Sequence, residues 1–413
     1  MSPPPLRTSR RRPDLWRRIL FATFLLLLYW RCNLPAADET PFIHFIASAY
    51  AHDSFQIVDP DESRTAAAPN QHKPTRKYDA FPHQVLDIDS GEAPVSQAKY
   101  ALLDSIIDDA KKRIVYNATL QDPQAQRDQA ELILATIDQV LTDHNILYPP
   151  GDYDVTSLRA GLTPQHYDKD ALARILRVPI NKRRRDHARA HATEPFYILD
   201  CDISSFVYIG VADAIGLDLH LVDLPDHMFV RWELEDGSHL NWDTNDAQEV
   251  TDKELASDYG LGKRIRKQRI YLASMTRREA EGFAYFLRAT RFEERDEDAK
   301  AIADLKKARD LYPQSTQVAS ELAWLYATAQ GVDLMHRKLA IDLAQSVVDL
   351  EPKCGDFWDS LAAAHAANGN FKQATKEARQ AEILAESPDD RAEFKMHRKA
   401  FEKSEMPDHP RGH

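Results

Sequence analysis

One stretch restricts this chain more than any other. It runs from Leu199 to Asp246 and reads LDCDISSFVYIGVADAIGLDLHLVDLPDHMFVRWELEDGSHLNWDTND. From Phe206 to Ile215 only Asp213 is charged, and apolar residues fall on nearly every side of a helical wheel. A helix that is apolar all round is buried inside its domain. Gly216 suits the left-handed position that ends such a helix, with Leu217 as the apolar residue after it. Leu219 to Leu224 is β-like, and Pro225-Asp226 breaks it. Residues 227–234 then alternate: His227, Phe229, Arg231 and Glu233 share one face, and Met228, Val230, Trp232 and Leu234 share the other. Asp236-Gly237 signals a hairpin, and His239, Asn241 and Asp243 line one face of the returning strand.

Loop parity decides what meets what. A two-residue loop, Asp236-Gly237, sets Asp243 opposite Val230, on the wrong face for His227. A three-residue loop, Glu235-Asp236-Gly237, sets it opposite Phe229, on the same face as His227 and diagonal to it. Gly237 in the left-handed region would supply the bulge that three-residue loops use. A one-residue slip would flip every side chain, so the constellation depends on this register.

The chemistry follows from the order. Cys201 opens the buried helix, where the positive end of the helix dipole favours thiolate. Asp200 and Asp202 flank it, and two carboxylates work in the opposite sense. An imidazole within reach can take the thiol proton, and a carboxylate on its second nitrogen fixes the tautomer. The expected catalytic residues are Cys201 as nucleophile, His227 as base and Asp243 as orienter. A zinc set of Cys201, His220 and His227 has no recognised ligand spacing, and neither a metal nor a cofactor is expected.

This stretch resembles the transglutaminase-core (papain-like thiol) superfamily, whose domains place Cys at the start of a central helix, His on a following strand and Asp on the next. The segments that carry the likeness are CDISSFVY, PDHMFVRW and NWDTND. Within that superfamily the chain looks most like bacterial transglutaminase-like proteins with C-terminal tetratricopeptide repeats. The repeats show after residue 270. Counted from Gly355, the residues Trp358, Leu361, Gly369, Phe371, Ala374 and Ala381 fall on tetratricopeptide consensus places. The preceding unit has Trp324, Ala340, Ala344 and Pro352, which sets Trp324 equivalent to Trp358. A weaker unit spans 275–315.

The fold class expected is an α+β transglutaminase-like (papain-like) domain followed by an all-α tetratricopeptide helical-repeat domain. The expected division is 1–51 signal peptide or signal-anchor, 52–95 disordered linker, 96–270 transglutaminase-like domain, 271–403 repeats and 404–413 tail. A length of 413 residues fits two or three domains. In the first segment, six arginines from Arg7 to Arg18 precede the apolar run Ile19–Trp30, as in an export signal. That places the soluble part outside the cytoplasm, periplasmic or anchored to the inner membrane. Residues 52–95 are polar, with few large apolar side chains to bury. Two amphipathic helices follow, Ser96–Ile114 and Arg127–Leu141.

Composition removes some classes. A net charge of −12 argues against nucleic acid as a partner. The basic cluster Lys182-Arg183-Arg184-Arg185 has no interleaved aromatic to stack on bases and reads as a solvated loop. Three cysteines, at 32, 201 and 354, are too scattered for a disulfide framework or a metal motif. The function implied by the resemblance is an exported thiol hydrolase or acyltransferase acting on peptide or protein amides, with a partner protein held at the repeats. The alternative is a non-catalytic envelope scaffold whose two domains only bind partner proteins.

Overall fold

The structure is a computed structural model that describes residues 74–148, 155, 157–176 and 181–407. The arginine-rich and apolar segment, with Cys32, lies outside the described residues. Among the described residues, no helix is long and apolar enough to cross a membrane.

A mostly helical fold with two small sheets is built around one helix. In chain order its elements are α1 Phe81–Asp89, α2 Gln97–Arg113, α3 Pro123–Asp143, β1 Ile146–Leu147, α4 Leu158–Gly161, α5 Lys169–Ile175, α6 Lys182–Ala190 and β2 Tyr197–Ile198. Next come α7 Cys201–Ile215, β3 Leu219–Leu224, β4 His227–Glu233, β5 His239–Asp243, β6 Gln248–Val250, α8 Asp252–Asp258 and α9 Lys263–Lys267. Seven helices complete the described chain: α10 Arg277–Glu293, α11 Asp298–Leu311, α12 Thr316–Thr328, α13 Leu334–Leu350, α14 Gly355–Ala367, α15 Phe371–Leu384 and α16 Pro388–Glu402.

Helix α7 is the centre. It is capped at its start by Asp200, whose carboxylate accepts from the Ile203 N–H at 3.0 Å. It stops at Gly216, which has φ +83°, and the N–H groups of Gly216 and Leu217 both return to Ala212 O. Ten consecutive residues, Ile203 to Ala212, are buried. α1, α2 and α3 pack on one side of α7, and strands β3 and β4 on the other. The second sheet is antiparallel in the order β3-β4-β5-β6. Both of its faces are covered: Met228, Val230 and Trp232 join the core around α7, while Val222, Leu224 and Phe229 join a smaller core with Leu255, Leu261 and Tyr271.

The 52–95 segment is not a linker over its described part. Helix α1 lies within it, starts with Pro82 in its first turn, and buries Phe81, Val85, Leu86 and Ile88. Pro82 sits so close to Gly210 of α7 that a Cβ there would lie 2.5 Å from Pro82 Cγ. The Phe81 N–H donates to Asp213 Oδ2 at 2.9 Å, which explains the one charge between Phe206 and Ile215. α2 and α3 form where amphipathic periodicity expects them, with Leu103, Ile106, Ile107, Ile133, Ile137, Val140 and Leu141 buried.

No seam falls at 270/271. Residues Met275, Ala280, Phe283 and Tyr312 belong to the same core as α7. Phe283 meets Phe206 edge-on at 6.3 Å. Arg291, 3% exposed, pairs with Asp89 and Glu92 of the α1 region at 2.6 and 3.0 Å. Beyond α10 the helices pack as consecutive pairs, with small residues at the contacts: Ala340, Ala344, Ala374, Ala378 and Ala381 are all fully buried.

The two tryptophans are not equivalent. Trp324 is the ninth residue of α12 and fully buried, whereas Trp358 is the fourth residue of α14 and only partly buried. Trp358 Nε1 donates to Pro352 O at 2.9 Å, so its ring ties down the turn before its helix while packing against the edge of the helical core.

Candidate functional site: a thiol beside a histidine–aspartate pair

The hairpin register is the one the three-residue loop requires. Glu233 pairs with His239, Arg231 with Asn241 and Val230 with Trp242, which sets Asp243 opposite Phe229. Gly237 has φ +80°, and the Leu234 N–H donates to Ser238 O at 2.9 Å to close the loop. His227 and Asp243 therefore share a face, with Nε2 3.1 Å from Asp243 Oδ2. Their side chains are 12% and 15% exposed, so the pair is sheltered but reachable.

Asp243 is held from behind. Its Oδ1 accepts the N–H groups of Asn245 at 2.8 Å and Asp246 at 3.1 Å. Burial alone would raise its pKa, but the His227 bond and charge and those two amides bring it below the usual carboxylate value. An ionised Asp243 accepts only, so His227 Nε2 carries the proton and Nδ1 is the nitrogen left for chemistry.

Cys201 stands at the first position of α7, with the Met228 N–H, next to His227, directed at its sulfur. Its S–H donates to Asp202 Oδ1 at 3.6 Å. Burial pushes the thiol well above its ordinary pKa, and Asp202 and Asp200 push the same way; the Met228 amide opposes them. The dipole does not win here. Desolvation and two neighbouring carboxylates keep the resting thiol neutral.

Three features of this corner escape sequence reasoning. Arg184, from the cluster read as a solvated loop, is fully buried. Its Nε donates to Asp138 Oδ1 at 2.8 Å, its Nη2 to Thr244 O at 2.9 Å and its Nη1 to Asn245 O, and the guanidinium lies 3.7 Å over the Tyr148 ring. It thus braces the turn that holds Asp243. Thr244 in that turn shares hydroxyl hydrogen bonds with Ser204 at 2.7 Å and Ser205 at 3.4 Å, linking it to the helix that begins with Cys201. Tyr259, in the loop after α8, lies parallel to the His227 ring, with 3° between planes and 6.3 Å between centroids. Arg184 had a compositional signal that pointed the wrong way, and Tyr259 had none.

The zinc set does not assemble. His220 bonds Met275 O at 3.0 Å through Nδ1 and Asp218 at 2.9 Å through Nε2, so both ring nitrogens are engaged. No protein-family model matches the chain, and no curated protein matches it.

Proposed function

We propose that the protein is an exported transglutaminase-like thiol enzyme that cleaves or transfers the acyl group of peptide or protein amides. The observation that carries this is the His227–Asp243 bond, on the face and in the register that the Cys-His-Asp order requires. In this reading Cys201 sulfur attacks the amide carbonyl as its proton passes to His227 Nδ1. The C–N bond then breaks, the amine leaves with the proton from the imidazolium, and a thioester remains on Cys201. Water or a second amine attacks the thioester, with His227 again taking a proton. Asp243 keeps the ring in place and stabilises its cationic form. A neutral resting thiol suits this general-base route better than a preformed ion pair. The C-terminal helix pairs are read as tetratricopeptide repeats that hold a partner protein, and the segment before residue 52 as the export signal or inner-membrane anchor.

The scaffold reading has one observation in its favour: the thiol donates to Asp202 rather than to His227. Alkylation separates the two. With its pKa raised, Cys201 is expected to react with iodoacetamide near neutral pH more slowly than a free thiol, and His227→Ala to slow it further by removing the base. Equal rates in both proteins would leave only the scaffold.

A further inference from the structure

The His227 imidazole is bonded to Asp243 at one corner, through Nε2. A single bond at one atom leaves the plane of the ring free to tilt about it. Two aromatic rings oppose that tilt. Phe229, fully buried on the same face of β4, lies 6.4 Å from the imidazole with 29° between planes. Tyr259 lies at 6.3 Å with 3° between planes, a separation at which aromatic rings attract one another.

Tyr259 is itself set by a helix ending. It follows α8, and its N–H returns to Leu255 O at 3.0 Å. Gly260 takes φ +61°, and the Leu261 N–H reaches back to Ala256 O at 2.9 Å, so the helix closes in a left-handed turn. Leu261 is then buried in the small core that also holds Phe229. The turn therefore fixes the backbone of Tyr259 relative to the strand of His227. The Tyr259 ring is not there to fill that core, since the residue is 37% exposed. Burial raises its phenol pKa, and Asp243 and Cys201 add to the rise, so the ring lies within electrostatic reach of both other members of the triad.

We infer that Tyr259 is a positioning residue of this site: its ring holds the plane of the His227 imidazole and so keeps Nδ1 available to the Cys201 proton. The inference rests on the thiol-enzyme reading and adds to it a residue that acts through the base. The ring face supplies the effect, and the hydroxyl is not required for it.

Labelling of Cys201 by iodoacetamide in the full-length protein, read by mass spectrometry at that residue, tests this without a substrate. Tyr259→Ala is expected to slow labelling by about threefold or more, the size of a coupling between touching side chains, and Tyr259→Phe to restore the rate. In a His227→Ala background, Tyr259→Ala is expected to have no further effect, because a residue that acts through the imidazole has nothing left to act on. A purely structural role, or a change in access to the sulfur, would move the rate in both backgrounds. Side-chain nitrogen NMR of histidine-labelled protein at alkaline pH gives a second reading. His227 is expected as one tautomer, protonated at Nε2, in the wild type and in Tyr259→Phe, and as a tautomer mixture in Tyr259→Ala. Unchanged circular dichroism spectra show that the variants fold. A wild-type labelling rate in Tyr259→Ala, or the same loss with and without His227, overturns the inference. Tyr259→Phe as slow as Tyr259→Ala overturns the ring in favour of the hydroxyl. If His227→Ala itself labels at the wild-type rate, the thiol reading fails, and the nitrogen spectra alone decide whether Tyr259 holds the ring.

Discussion

Of the histidine–aspartate pairs in this molecule, two differ sharply in what surrounds them. His227 and Asp243 meet at 3.1 Å, beside the Tyr259 ring and one residue from Met228, whose N–H is directed at the Cys201 sulfur. His397 of α16 and Asp359 of α14 meet at 2.9 Å with both side chains fully buried, and Trp324 lies 5.3 Å from the imidazole. The bond is nearly the same in both. The second pair joins two helices and is fully buried, whereas the first is partly exposed beside Tyr259, so a histidine–aspartate contact says little about chemistry until its access is known.

The largest effect expected is on reactivity. If the thiol reading holds, His227→Ala should lower Cys201-dependent turnover about 10²–10⁴-fold, the usual worth of a positioned base. His397→Gln, measured where circular dichroism shows it folded, should leave Cys201 alkylation unchanged. A His397 variant that slowed alkylation as much as His227→Ala would erase the distinction between the pairs.

Stability should reverse the ranking. Removing His397 leaves Asp359 buried beside Trp324, and breaking a buried pair this way costs about 3–5 kcal/mol. Trp324→Ala should cost about as much, ~3–5 kcal/mol, as truncation of a buried aromatic does. Trp358→Ala should cost less, because its ring is only partly buried and its one hydrogen bond is worth about 1 kcal/mol. Urea unfolding of the three variants checks the order. Trp358 as the costliest of the three would mean that its ring fills the space between helices after all.

A smaller effect separates the two neighbours of the sulfur. Asp202 raises the thiol pKa, so Asp202→Asn should move the alkylation profile to lower pH and speed labelling at neutrality. No movement would show that burial alone sets the profile.

The smallest effect concerns acid. Asp243 has a lowered pKa in the fold, so its contribution to stability is complete above the unfolded carboxylate value of about 3.9 and is lost as pH falls through the folded value. Asp243→Asn should flatten that part of the acid-unfolding curve and leave the neutral region little changed.

How much of this was legible depended on how local the cause was. The register from His227 to Asp243 could be read because period-two alternation and Gly237 lie within seventeen residues of one another. The central helix announced itself by its apolar run and its terminal glycine. Helix α1 left a signal too, with Phe81, Val85 and Ile88 on a helical repeat behind a proline, but the polar stretch around it hid nine ordered residues. Arg184 could not be read at all. Its partners Asp138, Tyr148, Thr244 and Asn245 lie on three other segments, and an arginine among arginines looks solvated until those segments fold together. The tryptophans misled because a longer turn and the 17-residue α13 shift the second helix pair relative to the first.

The close approach of Pro82 to Gly210 has a mechanical side. The residues just before α1 are tied to α2, Thr75 to Gln97 and Tyr78 to Asp104 and Asp108, while α1 itself bears on α7 through that contact and through the Phe81–Asp213 bond. The opposite end of α7 carries Cys201. A displacement of α1 is therefore delivered to the same rod that holds the sulfur.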